Sequence, residues 1–168
     1  MPCMTRQAPG GFSSRDHQLM TLALEKAIQA LDRGDFPIGA ALAINGVCID
    51  SEANSNTSDW SWTSHAEHKL ILRHSARLRK VVQTERARVE LFSTFEPCLM
   101  CVGTAVFSRI RRIVYALPDQ TAGAASLDPS RLGEWYCRRW PLMQSGLLRE
   151  ESEELIRRYK PIYPRTDD

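Results

Sequence analysis

The chain has 168 residues, 43% hydrophobic and 25% charged, which suits one globular domain and excludes a disordered or low-complexity protein. A chain of this size buries roughly 70% of its unfolded surface, so its five cysteines are not needed as disulfide staples, and their odd number suits a reduced, cytoplasmic protein. The formal net charge of +2 is too small to demand nucleic acid as a partner, and the opening residues hold no apolar stretch that suits a signal peptide or a membrane span. The whole of 1–168 reads as a single domain, with flexible ends at 1–14 and 164–168 where Pro, Gly and polar residues collect.

From about Ser14, the apolar residues Met20, Leu24, Ala27 and Leu31 recur at helical spacing, and Gly34 supplies a stop. Two strands are predicted over 38–44 and 47–49, joined by Asn45-Gly46, the dipeptide best suited to a two-residue hairpin turn. A second helix is expected over 65–79 with Ser64 as its cap, then a strand over 89–95, a helix over 98–108 and a strand over 111–117. Strand, helix and strand joined this closely make a parallel crossover. The remainder, 129–159, reads as mostly helical, notably 150–160, with a weakly marked fifth strand near 141–144.

The chemistry is concentrated in two strings, His65-Ala66-Glu67 and, beginning thirty residues after that glutamate, Pro97-Cys98-Leu99-Met100-Cys101. H-x-E followed by P-C-x-x-C is the signature of zinc-dependent nucleobase deaminases. Cys98 and Cys101 lie three apart, so both thiolates reach one ion from the first turn of a helix. His65 supplies a third ligand, and three protein ligands leave zinc a position for water, as in a catalytic site. Pro97 suits the start of a helix, whose positive end favours thiolates. Glu67 sits two residues beyond His65 as general base and acid: it would move a proton from water to the ring nitrogen beside the amino-bearing carbon, then to the departing amino group. Backbone N–H groups near Ala66 and Cys98 would hold developing charge. Each string alone is uninformative; together they favour a catalytic zinc over a structural one, for which His68 is the only local fourth ligand. His17, His74, Cys3, Cys48 and Cys137 have no motif around them.

On these strings, and on Asp35-Phe36-Pro37-Ile38-Gly39-Ala40, Thr94-Phe95-Glu96, Ser108-Arg109-Ile110, Gly123-Ala124-Ala125 and Gly146-Leu147-Leu148, the chain resembles the cytidine deaminase superfamily. Within it the similarity is to the branch of tRNA adenosine deaminases and bacterial guanine deaminases. The resemblance implies a three-layer α/β/α sandwich around a mostly five-stranded mixed sheet, one zinc per chain and a homodimer. It implies that Asn54 holds the base, in a pocket for which Phe36, Pro37, Phe95 and Ala66 are candidates. The family usually carries Asp-Pro-Thr-Ala before its His-Ala-Glu, where this chain has Ser61-Trp62-Thr63-Ser64, and it lacks the lysine that tRNA enzymes carry after Asp119. Trp60 and Trp62 would stack on a base or ribose, or else belong to the core or a dimer interface. The cluster Trp135-Tyr136-Cys137-Arg138-Arg139-Trp140 suits a lid or an interface. Three functions fit: deamination of a free base, nucleoside or related small heterocycle; tRNA wobble-adenosine deamination, against which the modest charge speaks; and a non-enzymatic zinc-stabilised domain.

Overall fold

The computed structural model describes residues 11–160; of the segments expected to be flexible, 1–14 and 164–168, the residues 1–10 and 164–168, with Cys3, lie outside them, while Ser13 caps and Ser14 begins a helix. Helix α1 (Ser14–Asp32) starts at Ser13, whose hydroxyl accepts from the Asp16 N–H while the Asp16 carboxylate accepts from the Ser13 N–H, a reciprocal capping box. Strands β1 (Gly39–Ile44) and β2 (Val47–Ala53) follow as the expected antiparallel hairpin. Its turn has φ of 51° at Asn45 and 77° at Gly46, the doubly left-handed geometry that this dipeptide tolerates. Helix α2 (Ala66–Thr84), strand β3 (Val89–Phe95), helix α3 (Leu99–Phe107) and strand β4 (Arg112–Leu117) come next, then a short helix α4 (Glu134–Cys137), strand β5 (Leu142–Ser145) and helix α5 (Arg149–Arg158).

The sheet order is β2-β1-β3-β4-β5, antiparallel across β2-β1-β3 and parallel across β3-β4-β5, so the sheet is mixed and five-stranded as expected. Alternate residues of each strand serve opposite faces. Ala40, Leu42, Val89, Leu91 and Ile113 pack with Leu70, Ile71, Leu78, Val102 and Val106 of α2 and α3. Ala41, Ala43, Phe92, Val114 and Ala116 pack with Leu19, Met20 and Ala23 of α1, while Leu155 of α5 packs beside α1 against Leu24 and Ala27. The sheet therefore lies between α2 and α3 on one face and α1 and α5 on the other, a three-layer sandwich.

Three expectations need correction. The cap of α2 is His65 and not Ser64, which lies one residue outside the helix. Pro97 precedes the cap Cys98 and is not the first residue of α3. Residues 129–148 are not mostly helical: Pro129, Gly133 and Pro141 punctuate them into a 3-10 turn (Pro129–Arg131), the four-residue α4 and β5. Among the described residues no helix is long and apolar enough to cross a membrane.

Candidate active site

Both sequence strings enter helices from extended backbone, and their first metal-ligating residues are the N-caps. His65 caps α2 with φ −72° and ψ 144°, Cys98 caps α3 with φ −70° and ψ 171°, and neither side chain closes a capping hydrogen bond on its own helix. Each points instead at the other motif. His65 Nδ1 lies 3.6 Å from Cys98 Sγ and 3.6 Å from Cys101 Sγ, and the two sulfurs are 3.7 Å apart. A tetrahedral zinc with Zn–S about 2.3 Å and Zn–N about 2.0 Å would hold such ligands roughly 3.8 Å apart (S to S) and 3.6 Å apart (S to N). The triangle therefore already has the edges of a zinc site. Of the two ring nitrogens of His65, Nδ1 is the one that faces both sulfurs, which the sequence leaves open.

The sulfurs are electrostatically coupled. Cys98 is drawn down to about 3, first by the neighbouring Cys101 thiol and against its burial, with His65 adding to the effect. Cys101 is pushed up, first by Cys98 and then by burial. A divalent cation held between them would favour both as thiolates.

Glu67, 2% exposed, sits beside this triangle without joining it. Its Oε1 accepts from Ser93 Oγ at 2.9 Å, and its Oε2 is 3.8 Å from Cys101 Sγ. Burial raises its pKa above the ordinary carboxylate value, opposed by its own backbone N–H, by His65 and by Ser93. A carboxyl held this way suits proton transfer in both directions. His68 is no fourth ligand: its Nδ1 faces Thr63 O at 3.1 Å, and the only described group that fits a metal is His65, Cys98 and Cys101.

The structure also joins several of the remaining expected residues to one another. Asn54 is buried, and its Nδ2 donates to Phe36 O (3.0 Å) and Asn56 Oδ1 (2.9 Å), so its amide oxygen is the group left to accept. Phe36, which Pro37 follows, meets Phe95 edge-on at 5.6 Å between ring centres, and Ala66 is fully buried as the first residue of α2. Trp60 and Trp62 are 82% and 92% exposed on the loop that runs into His65, which removes the core reading for both. The aromatic and basic cluster does not close over the metal ligands: Trp135 and Tyr136 pack on Phe107 (4.9 and 6.0 Å), at the end of α3 opposite Cys98, with Arg139 and Arg109 over Trp135. Among the described C-terminal residues, Tyr159 packs edge-on to Phe36 at 5.2 Å.

Three residues at the site escaped the sequence reading. Ser93, a buried hydroxyl of strand β3, bonds to Glu67; Asp35 and Lys69 hold the Trp60 loop. A cavity of about 630 Å³ lies at the other end of the sheet, where Arg112 is already paired with Asp16 and Glu90.

The comparisons agree with this geometry. The model of the cytidine and deoxycytidylate deaminase zinc-binding region matches residues 13–117. A tRNA-specific adenosine deaminase of Agrobacterium fabrum (strain C58) is 33% identical over 148 residues, covering 88% of this chain and 95% of that protein. One from Bacillus subtilis (strain 168) is 31% identical, covering 82% and 84%. Among solved structures, one from work on A-to-I editing by tRNA:A34 deaminases at the wobble position superposes with a TM-score of 0.64 at 32% identity, covering 82% of this chain and 98% of that one. A guanine deaminase of Nitrosomonas europaea shares the fold at a TM-score of 0.70 and 22% identity, covering 93% and 86%. With the ligand triangle, the buried glutamate and the sandwich all in place, the chain belongs to the family of zinc-binding cytidine and deoxycytidylate deaminases.

Proposed function

We propose that this protein removes the exocyclic amino group of adenosine within tRNA, leaving inosine and ammonia. The observation that carries the substrate is the 33% identity to a tRNA-specific adenosine deaminase over 95% of that protein's length. The two tryptophans support it. A loop bearing side chains this exposed suits a substrate that brings its own surface, and each base stacked on an aromatic ring contributes roughly 1–3 kcal/mol. This reverses the order the small net charge suggested.

The zinc held by His65, Cys98 and Cys101 supplies a water of lowered pKa. Glu67 Oε2 takes a proton from water and delivers it to the ring nitrogen beside the amino-bearing carbon, whose C=N bond then accepts the oxygen. Glu67 next carries the second proton to the amino nitrogen, the C–N bond breaks, and ammonia leaves as the carbonyl forms. Water supplies the oxygen and both protons, so no redox partner is involved. Asn54 offers its amide oxygen to a donor of the base or ribose, Phe36, Pro37 and Phe95 form an apolar wall, and the Ala66 N–H, at the start of α2, faces developing charge.

A second reading, deamination of a free base or nucleoside, is favoured by Ser61-Trp62-Thr63-Ser64 in place of Asp-Pro-Thr-Ala. One experiment separates them: ammonia release from an anticodon stem-loop bearing a wobble adenosine, beside a panel of free bases, nucleosides and nucleotides. Turnover of the stem-loop with inosine as product is expected. Turnover of a free compound with none of the RNA would replace the first reading with the second.

A further inference from the structure

Asp35 lies beneath the loop that carries the two tryptophans, with 0% exposure. A carboxylate in such a place is costly unless its oxygens are met, and here every bond but one comes from that loop. Oδ1 accepts from the N–H groups of Thr57 (3.0 Å) and Ser58 (2.9 Å); Oδ2 accepts from Ser58 Oγ (2.8 Å) and Arg33 Nε (3.3 Å). Arg33 continues through Nη2 to Asn54 O at 2.8 Å. From α2, Lys69 Nζ donates to Ala53 O (3.2 Å) and Ser55 Oγ (2.6 Å), and Ser55 Oγ donates on to Asp59 Oδ2 (2.6 Å). The stretch from Asn54 to Asp59 is thus stitched from below and from the side, immediately before Trp60. Trp60 has φ 51°, a left-handed conformation that a bulky residue keeps only where its surroundings hold it.

We infer that Asp35 is a positioning residue for substrate selection: it holds the 55–64 loop in one conformation, so that Trp60, Trp62 and Asn54 meet the substrate already placed. This rests on the reading that the loop faces substrate. Neither Glu67 nor any metal ligand bonds to Asp35, so its loss acts on binding and leaves the chemical step alone. A loosened loop must be ordered by each arriving substrate, which weakens binding and blunts discrimination between substrates.

The test uses the full-length zinc-loaded protein and the variants Asp35→Ala, Asp35→Asn and Ser58→Ala. Ser58 is exposed, so its variant probes the clamp with little burden on folding. In Asp35→Ala, the Thr57 and Ser58 amides should exchange hydrogen at least about tenfold faster, with zinc content unchanged. KM should rise about tenfold with kcat within about threefold, and the preference of wild type among substrates should narrow. Asp35→Asn, which keeps one acceptor oxygen, should fall between wild type and Asp35→Ala, and Ser58→Ala should raise KM about threefold. Unchanged exchange at Thr57 and Ser58 overturns the clamp without reference to any substrate, and a fall in kcat at constant KM overturns its role in selection. If the tRNA reading fails, that shows in wild type alone, as turnover of another compound on the panel, and the variants are then scored on that compound.

Discussion

At the scale of single residues, the division of labour around the metal triangle is set by which atoms are already committed. Ser93 occupies one oxygen of Glu67, so in the proposed mechanism the other oxygen would move the protons, and burial, which raises the carboxyl's pKa, suits that role. Glu67→Gln preserves shape and the Ser93 bond while removing the proton site. It should keep one zinc per chain and an unchanged melting temperature while ammonia release falls by roughly 10²–10⁴-fold; undiminished turnover would remove Glu67 from the mechanism. Ser93→Ala should cost about tenfold in kcat with zinc retained, since it frees the carboxylate to rotate. The grouping of His65, Cys98 and Cys101, and Glu67 as the proposed proton carrier beside it, were legible because each motif is local, its spacing speaking directly to coordination. Ser93, 26 residues from its partner, and Asp35, 22 and 23 residues from the N–H groups it holds, were not. Side chains that serve distant atoms leave no spacing to read.

At the scale of elements, periodicity placed α1, the β1-β2 hairpin, β3, α3 and β4 to within a few residues, because each buries one regular face. It failed where tertiary partners decide. Strand β2 runs past the expected 49 to Ala53, paired with β1 as far as Gly39 opposite Ala53, and its Asp50 and Glu52 meet Arg73, His74 and Lys69 of α2 along the sheet edge. The metal ligands show the same dependence on context, for two helices begin at residues whose side chains serve the zinc and not the cap. That arrangement gives a signed expectation for Cys98→Ser. Serine is among the best N-caps, worth about 0.5–2 kcal/mol over a residue that does not cap, but it is a poor zinc ligand. The variant should lose zinc, and with it the stability that binding supplies, so that it melts below zinc-loaded wild type. After chelation of both proteins the order should reverse. Thermal melts with and without chelator check this, and a metal-free variant no more stable than metal-free wild type would show that Cys98 caps α3 adequately after all.

At the scale of the whole molecule, one buried ionic network ties the start of the chain to the far end of the sheet. Arg112 of β4 meets Asp16 of α1 through both terminal nitrogens (2.6 and 3.1 Å), Glu90 of β3 at 3.0 Å and Gln144 of β5, with its guanidinium 5.8 Å from the centre of the Phe92 ring. Removing Asp16 therefore takes from α1 its one described charged link to this network, while the apolar packing of Leu19, Met20 and Ala23 on the sheet remains. Burial alone would raise the Asp16 pKa from 3.8; the Arg112 bonds and the Ser13 N–H and hydroxyl overcome it and hold the group at about 2. A carboxylate depressed on folding stabilises the native state above its unfolded pKa and loses that contribution as pH falls toward its folded one. Asp16 should thus contribute about 2 kcal/mol at neutral pH, declining from about pH 4 and gone below about pH 2. Asp16→Asn isolates this from the other carboxylates: wild type should exceed the variant by that amount in urea unfolding at pH 7, and the gap should close across pH 4 to 2. A gap that stays constant through that interval would mean that Asp16 acts through shape and hydrogen bonding, and that its charge contributes nothing to holding α1 on the sheet.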